Sequence, residues 1–135
     1  MSTTATPTAG RTRIAVIGQL LGLSVLTNLV VLGIGSLAGA SFAIDNAGTA
    51  MSVGPVEVIA ASVIPLALAI IAHTLLSPRV ALVRRLWTPV IAVVTLLSLG
   101  AMTGAGDLTT AISLGTMHLV VGGLAAFGIP ARLGQ

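Results

Sequence analysis

The sequence predicts an all-α protein, a transmembrane four-helix antiparallel bundle with both termini in the cytoplasm (N-in/C-in). Two observations support this: long uncharged stretches and a segregated pattern of charges. Each uncharged stretch exceeds the ~20 residues that an α-helix needs to cross a bilayer core. These stretches are Ile14–Ile44, Val58–Pro78, Leu86–Gly106 and Leu108–Ala131. Between them, arginines alternate with acidic residues, and cytoplasmic loops collect arginine, so each helix acquires a direction.

Composition excludes several classes of protein. Hydrophobic residues make up 56% and charged residues 7% of the 135 positions, which is too few charges to cover a water-soluble domain. We expect no nucleic-acid partner, because the arginines flank apolar spans and form no cluster with polar or aromatic neighbours. The absence of cysteine excludes disulfides, thiolate metal sites and c-type haem attachment. We expect no cofactor and no metal.

The first half of the chain supplies a tail and two helices. Residues 1–13 are mostly small and polar, which predicts a disordered cytoplasmic tail. The first helix is predicted at about residues 14–40, long enough to require tilt in the membrane. An outer loop with turn-forming residues at Asp45–Gly48 follows. The second helix is predicted at about residues 56–76.

The second half supplies two more helices. After an arginine-containing inner loop, the third helix is predicted at about residues 86–102, with Trp87 at the depth of the membrane interface. Asp107 is a favourable N-cap for the fourth helix, predicted at about residues 108–129 and ended by a proline. Residues 14–130 then form one four-span domain, and residues 131–135 form a cytoplasmic tail.

Three short segments of the second half carry a resemblance to a known family. They are Leu86-Trp87, Leu96-Leu97-Ser98-Leu99 and Met117-His118-Leu119-Val120-Val121. In these segments and in topology the chain resembles an uncharacterised family of small four-helix integral membrane proteins from actinobacteria. The resemblance implies the four-span layout and a bacterial cytoplasmic (inner) membrane. It implies no particular activity.

One layer of polar features crosses the predicted bundle. At 1.5 Å per residue, Asn28, Thr95 and His118 lie near the membrane midplane in the first, third and fourth helices. Pro65 lies at a similar depth in the second helix and leaves the carbonyl of Ala61 without its helical donor. Because polar groups inside hydrocarbon must find a partner or water, these residues are candidates for ligand contact or proton relay.

His118 has two interpretations. Its helix face also carries small residues, which indicates packing against another helix and not against lipid; these are Ala111, Gly115, Gly122 and Ala125. The simpler interpretation is a neutral histidine bonded to Asn28, Thr95 or a backbone carbonyl. The other is a proton-relay or ligand-contacting group. A haem held by His118 and His73 is disfavoured, because their depths differ by roughly 10 Å.

Glu57 and Asp107 begin the second and fourth helices at the outer surface. If these helix ends are neighbours, the two carboxylates could support acid–base chemistry or bind a cation. The simpler interpretation, which we prefer, is that each carboxylate stabilises the positive N-terminal end of its own helix.

Glycines at helical spacing predict close contacts between helices. Two Gly-x-x-x-Gly spacings fall in the first helix, which makes that helix a candidate for packing against a second copy or another membrane protein. The glycines predicted to pack are Gly18, Gly22, Gly35, Gly39, Gly100, Gly104, Gly115 and Gly122.

Three hypotheses of function remain open. The leading one is an integral membrane protein that binds a lipid or apolar ligand, or serves as a subunit of a larger membrane assembly. The second is a proton-coupled transporter or channel that acts as a homo-oligomer, with His118 titrating and both carboxylates in an outer vestibule. The third is an intramembrane enzyme on a lipid-soluble substrate, which requires His118, Glu57 and Asp107 in one cavity. No catalytic motif occurs in the sequence, so the non-enzymatic hypothesis leads.

Overall fold

The computed structural model describes residues 8–46 and 48–134, with the backbone alone at residues 8–11, 46 and 101. This part of the chain is helical apart from one short hairpin. Its elements are α1 (Thr8–Leu37), β1 (Ala43–Asn46), β2 (Thr49–Ser52), α2 (Pro55–Leu76), α3 (Ala81–Ser98), a 3₁₀ segment (Leu99–Gly104), α4 (Leu108–Gly123), a π-helical turn (Leu124–Gly128) and α5 (Ile129–Leu133).

Four helical segments of the described chain are long and apolar enough to cross a membrane. They are Thr12–Leu37, Pro55–Leu76, Ala81–Gly104 and Leu108–Leu133. Many large apolar side chains on them are exposed, among them Leu26 at 64% and Leu97 at 74%. Such exposure suits helices whose surroundings are lipid, where an apolar surface has no cost. The predicted all-α class with four long apolar helices is confirmed.

α1 starts before the apolar run that predicted it. It begins at Thr8, so residues 8–13 are helical where a disordered tail was predicted; the rest of that predicted tail, residues 1–7, lies outside the described residues. Arginine is a good helix former and threonine is tolerated, so the end of an apolar stretch does not have to end the helix.

Gly39 ends α1 with a φ of +86°, a left-handed conformation that glycine adopts at no steric cost. The amides of Gly39 and Ala40 donate to the carbonyls of Ser36 and Gly35, at 3.1 and 2.9 Å. This pair of bonds is the Schellman pattern of a helix C-terminus. The helix therefore stops at Leu37, and not at residue 40 as predicted.

The predicted outer loop contains an antiparallel hairpin, with Ala43 opposite Ser52 and Ile44 opposite Met51. Its turn lies at the predicted position, where the Asp45 carboxylate accepts a hydrogen bond from the amide of Gly48 at 2.7 Å. The strands are only four residues long, too short for the alternation that announces a strand in a sequence.

The third and fourth spans extend beyond their predicted ends on the arginine side. α3 begins at Ala81 and not at residue 86, because Arg84 and Arg85 are accepted in its first turns. The last span continues through Pro130 to Leu133, so much of the predicted tail 131–135 is helical. Pro130 is tolerated because it falls in the first turn of α5, where a missing amide hydrogen costs little.

α1 and α2 pack along a seam whose middle is polar. Two apolar clusters lie at the ends of this seam, one around Leu20 and Leu66 and the other around Leu32 and Val58. Between the clusters, the fully buried polar residues are Ser24, Asn28 and Ser62. A buried polar group in an apolar environment costs stability unless it is hydrogen-bonded. The polar residues of this seam are therefore candidates for a functional site.

Charged side chains collect at two ends of the molecule. At one end, which we call the arginine end, Arg13 and Arg84 border a common cavity with the last residues of α5; its arginines are Arg13, Arg79, Arg84, Arg85 and Arg132. The other end, which we call the acidic end, holds Asp45, Glu57 and Asp107. The hairpin connects their regions through Phe42. The amide of Phe42 donates to Thr110 Oγ1, and its carbonyl accepts from the amide of Val53.

Candidate ligand-binding cavity

A cavity of about 370 Å³ lies between α2, α3 and α4, with Asn28 contributed by α1. Most of its wall is apolar. Its polar side chains are Asn28, Ser62, Thr95, Ser98 and His118. All three polar residues that the sequence placed in one layer therefore border the same cavity. Its volume falls in the roughly 300–1,000 Å³ range of small-molecule sites.

Asn28 belongs to a short chain of hydrogen bonds. Its Nδ2 donates to Ser62 Oγ at 2.8 Å, and Ser62 Oγ donates to the carbonyl of Val58 at 2.7 Å. Because the Ser62 hydrogen is used on Val58, Ser62 can only accept from Asn28, which fixes the orientation of the amide. Asn28 is 2% exposed, and its Oδ1 has no hydrogen-bond partner among the described residues.

His118 has its tautomer set by its own helix. Its Nδ1 lies 2.8 Å from the carbonyl oxygen of Leu114. A carbonyl cannot donate, so the hydrogen is on Nδ1 and the neutral ring keeps a lone pair on Nε2. The sequence left Asn28, Thr95 and a backbone carbonyl as possible partners of His118. In the structure the partner is a backbone carbonyl, that of Leu114. The ring borders the cavity and is partly buried, in place of the closed helix contact expected from its small neighbours.

The hydroxyls of the cavity are engaged as donors in the same way. Thr95 Oγ1 donates to the carbonyl of Ile91 at 2.8 Å, and Ser98 Oγ donates to the carbonyl of Thr95 at 2.6 Å. A hydroxyl whose hydrogen is used keeps only its acceptor lone pairs. With Asn28 Oδ1 and His118 Nε2, the polar groups of the cavity are therefore mainly acceptors.

The mouth of the cavity lies between α2 and α3. Ala61, Pro65 and Val94 border the cavity and are also exposed on the molecular surface, in the central part of their spans. Pro65 has no amide hydrogen, so the carbonyl of Ala61 at this mouth loses its regular helical donor and is a further acceptor. At this depth the surroundings of a membrane-spanning helix are acyl chains.

The wall between α3 and α4 depends on a glycine. A Cβ at Gly122 would meet the side chain of Thr95, so only glycine permits this approach of the two helices. A Cβ added at Gly35 would likewise lie 2.5 Å from Ser113 Oγ and 2.8 Å from Phe42 Cζ, and one added at Gly104 would meet the backbone of Asp45.

The remaining predicted packing glycines are less close to other parts of the chain. A Cβ added at Gly115 would make only ordinary contact with Leu99, at 3.9 Å. A Cβ at Gly18, Gly22, Gly39 or Gly100 would meet no described atom within 4 Å outside its immediate chain neighbourhood. Within one copy of the chain, Gly39 serves to end α1 and the other three face open space.

The π-helical turn beside the cavity results from Pro130 and is compensated by α3. The amide of Ile129 donates to Leu124, five residues back, which leaves the carbonyl of Ala125 unused; Pro130 cannot donate to Ala126. Trp87 Nε1 donates to the Ala125 carbonyl at 2.9 Å, and Thr88 Oγ1 donates to the Ala126 carbonyl at 3.0 Å. Trp87 is 7% exposed, so its ring lies inside the bundle, where it anchors this turn.

The predicted outer carboxylates do not reach the cavity. Glu57 Oε2 accepts a hydrogen bond from the amide of Gly54 at 2.9 Å, which caps α2. Asp107 caps α4, accepting from the amide of Thr110 at 2.6 Å, and it also accepts from the hydroxyl of Ser41 at 2.6 Å. The hydrogen bonds from Ser41 and Thr110 hold the pKa of the Asp107 carboxyl well below its usual range. Neither carboxylate borders the cavity.

The described residues contain no group of three histidine, aspartate or glutamate side chains placed to hold a metal ion. Ser62 and Ser98 were missed from the sequence as cavity residues. The rule that selected Asn28 and Thr95, a polar side chain within an apolar span, applies to them equally. The role of Trp87 had no such signal, because it depends on a π turn that the sequence does not announce.

Comparison with known proteins gives a family without an activity. No curated protein and no solved structure matches the chain. A family model described only as a family of unknown function matches residues 5–135, nearly the whole chain including every residue of the cavity. The chain belongs to this family of unknown function, DUF6069.

Proposed function

We propose that this protein is a multi-pass membrane protein that binds an apolar ligand whose polar head donates hydrogen bonds, such as a long-chain alcohol. The observation that carries the proposal is the direction of the hydrogen bonds around the cavity. Ser62, Thr95, Ser98 and His118 all donate to helix carbonyls, and the buried Oδ1 of Asn28 has no donor among the described residues. A ligand that supplies a donor satisfies these acceptors.

The wall of the cavity supports an apolar body for this ligand. Leu114, Met117 and Val121 of α4 face Ile91 of α3 across it. The exposed mouth at Ala61 and Pro65 opens on the side of the molecule at mid-span. A lipid-soluble molecule can enter there from the acyl-chain region without crossing the headgroups.

The placement in the membrane belongs to the same proposal. We infer an antiparallel bundle with the arginine end and both termini in the cytoplasm, as the distribution of arginines favours. The resemblance noted for residues 86–121 supports the cytoplasmic membrane of an actinobacterium. The open glycines of α1, Gly18 and Gly22, support a second copy or another membrane protein as a partner in addition to lipid.

The other two hypotheses receive less support from the geometry. An intramembrane enzyme requires Glu57 and Asp107 near His118, but the two carboxylates cap helices at the acidic end and are absent from the cavity wall. A proton pathway through His118 requires further titratable groups along it, and among the described residues His118 is the one titratable residue that borders this cavity. Ligand binding requires only the groups that are present.

A matched pair of ligands tests the proposal on the unmodified protein. Binding of dodecanol and of its methyl ether is measured by competition with a labelled alcohol in lipid nanodiscs, each referenced to protein-free nanodiscs. We expect the alcohol to bind roughly fivefold to tenfold more tightly, because a hydrogen bond to an otherwise unpaired acceptor contributes about 1 kcal/mol or slightly more. Equal affinity for the ether would rule out a donor head, and no saturable binding of either would rule out the site.

Two pairs of variants locate the binding. Asn28→Leu should remove the preference for alcohol over ether, whereas Ser24→Ala, one turn away and outside the cavity wall, should retain it. Ala61→Phe should block the mouth and weaken both ligands, whereas Ala92→Phe, exposed on α3 away from the cavity, should weaken neither. If both members of a pair behave alike, the ligand binds elsewhere.

A further inference from the structure

A second cavity, of about 340 Å³, lies at the arginine end. It is formed where the start of α1, the end of α2, the first turns of α3 and the end of α5 meet. Its lining includes Arg13, His73, Ser77 and Arg84. None of its lining residues borders the first cavity, so the two are separate sites.

Two guanidinium groups on this cavity have no counter-ion among the described residues. Neither Arg13 nor Arg84 forms an ion pair or a side-chain hydrogen bond with the described residues. The chain has three acidic residues in all, and each belongs to the acidic end. By contrast, Arg79 donates to the carbonyl of Leu75 and Arg132 donates to the side chain of Gln19.

Two residues that line the same cavity also carry buried polar atoms without a partner. His73 is 3% exposed and Ser77 is 8% exposed, yet His73 Nδ1 and Ser77 Oγ have no hydrogen-bond partner among the described residues. The His73 ring is held in place edge-on to Trp87, with ring centroids 4.8 Å apart. Unpaired buried polar groups cost stability, so their occurrence beside two unpaired cations calls for a bound partner.

We propose that this cavity binds a phosphate group. Guanidinium groups, a hydroxyl and an imidazole N–H are all donors, and a phosphate oxygen accepts from each of them. The planar guanidinium suits phosphate in particular, because it can donate two parallel hydrogen bonds. Pro78, Pro130 and Leu133 give the cavity an apolar border, so the group it takes is a phosphate at the edge of apolar material. The sources of such a group are an anionic lipid headgroup and free phosphate.

The test uses the full chain with an affinity tag placed after Gln135. Binding of dioctanoyl phosphatidic acid, of diacylglycerol with the same chains, and of inorganic phosphate is measured in detergent. We expect phosphatidic acid to bind and Arg84→Gln to weaken it about tenfold. Arg85→Gln removes the same charge from the adjacent position, outside the cavity wall, and should change this affinity less than twofold.

The three probes separate the sources of phosphate. If inorganic phosphate at a saturating concentration displaces phosphatidic acid, the site is one for free phosphate. If it does not, and Arg84→Gln leaves diacylglycerol binding unchanged, the site is one for a lipid headgroup. Equal affinity of the unmodified protein for phosphatidic acid and diacylglycerol would overturn the proposal without any variant. Equal losses in Arg84→Gln and Arg85→Gln would overturn it too, since they indicate charge attraction without a site.

Discussion

The acidic end and the arginine end treat their charges in opposite ways. At the acidic end, each carboxylate accepts hydrogen bonds from other parts of the chain: Asp45 from Gly48, Glu57 from Gly54, and Asp107 from Ser41 and Thr110. At the arginine end, Arg13 and Arg84 have no counter-ion among the described residues, and His73 and Ser77 nearby carry buried atoms without a partner there.

The carboxylates of the acidic end are therefore used in the fold, whereas Arg13 and Arg84 are available to a ligand. Polar groups that find partners in the chain contribute to stability and leave little to offer a ligand. Groups that remain unpaired contribute little to stability and keep their binding capacity. The acceptors of the first cavity are also unpaired groups of this sort, because they outnumber its free donors. Substitutions at the two ends should therefore differ in what they damage.

The largest loss of stability is expected from Asp107→Ala. This change removes the acceptor of four hydrogen bonds, from the amides and the hydroxyls of Ser41 and Thr110, which join the hairpin to α4. It also removes the N-cap of α4. The Tm in detergent should fall clearly below that of Asp45→Ala, which loses a single bond to Gly48. Equal Tm values for the two variants would show that the Asp107 network does not hold this end together.

Acid should reproduce part of that loss. Hydrogen bonds from Ser41 and Thr110 lower the pKa of Asp107 in the folded protein. Its stabilisation is therefore complete at pH values above the ordinary aspartate pKa of about 3.9, and it is lost as the pH falls below this toward the folded value. The Tm of the unmodified protein should drop in this range more steeply than that of Asp107→Asn. Parallel curves would contradict the network.

Trp87→Phe should cost about 1–3 kcal/mol, because it leaves the carbonyl of Ala125 unpaired in an apolar environment. Trp87 lies toward the arginine end, as Arg84 does, but its side chain has a hydrogen-bond partner. The variant therefore tests whether the loss of stability depends on hydrogen bonding or on position in the molecule. Phe127→Leu is the control, since Phe127 is 66% exposed. Unfolding in mixed detergent measures both variants. A loss no greater than that of the control would remove the compensating role of Trp87.

The smallest effect on stability is expected from Arg84→Gln in detergent free of lipid and phosphate. With no counter-ion to lose, the variant should unfold at the Tm of the unmodified protein, while a difference appears once phosphatidic acid is added. A large drop without the lipid would mean that Arg84 has a structural role, and the contrast between the two ends would fail.

The four spans could be predicted from the sequence because they depend only on uncharged length. Where a helix ends was harder: Gly39 stops α1 through two backbone bonds, and Pro130 fails to stop the last span because Trp87 and Thr88 bond the carbonyls that it frees. Such compensation joins residues about 40 positions apart in the chain, and no local pattern contains it.

The grouping of Asn28, Thr95 and His118 could also be predicted, since the three residues border one cavity. Its chemistry could not be. The sequence shows that Ser62 and Thr95 are polar, but only the structure shows that their hydrogens are used on the carbonyls of Val58 and Ile91. The proposed phosphate site escaped prediction for another reason: the sequence does not show that His73 is buried edge-on against Trp87, which lies 14 positions further along the chain.

The proposed function requires that the first cavity presents acceptors to an apolar ligand with a donor head, and the ¹⁵N resonance of His118 Nε2 reports on one of these acceptors. The chain has two histidines, so His73→Gln assigns the signal. In lipid nanodiscs, dodecanol should shift the Nε2 resonance saturably and its methyl ether should not, because only the alcohol can donate to that nitrogen. Equal shifts with both compounds, or no shift while the alcohol is bound, would contradict the claim.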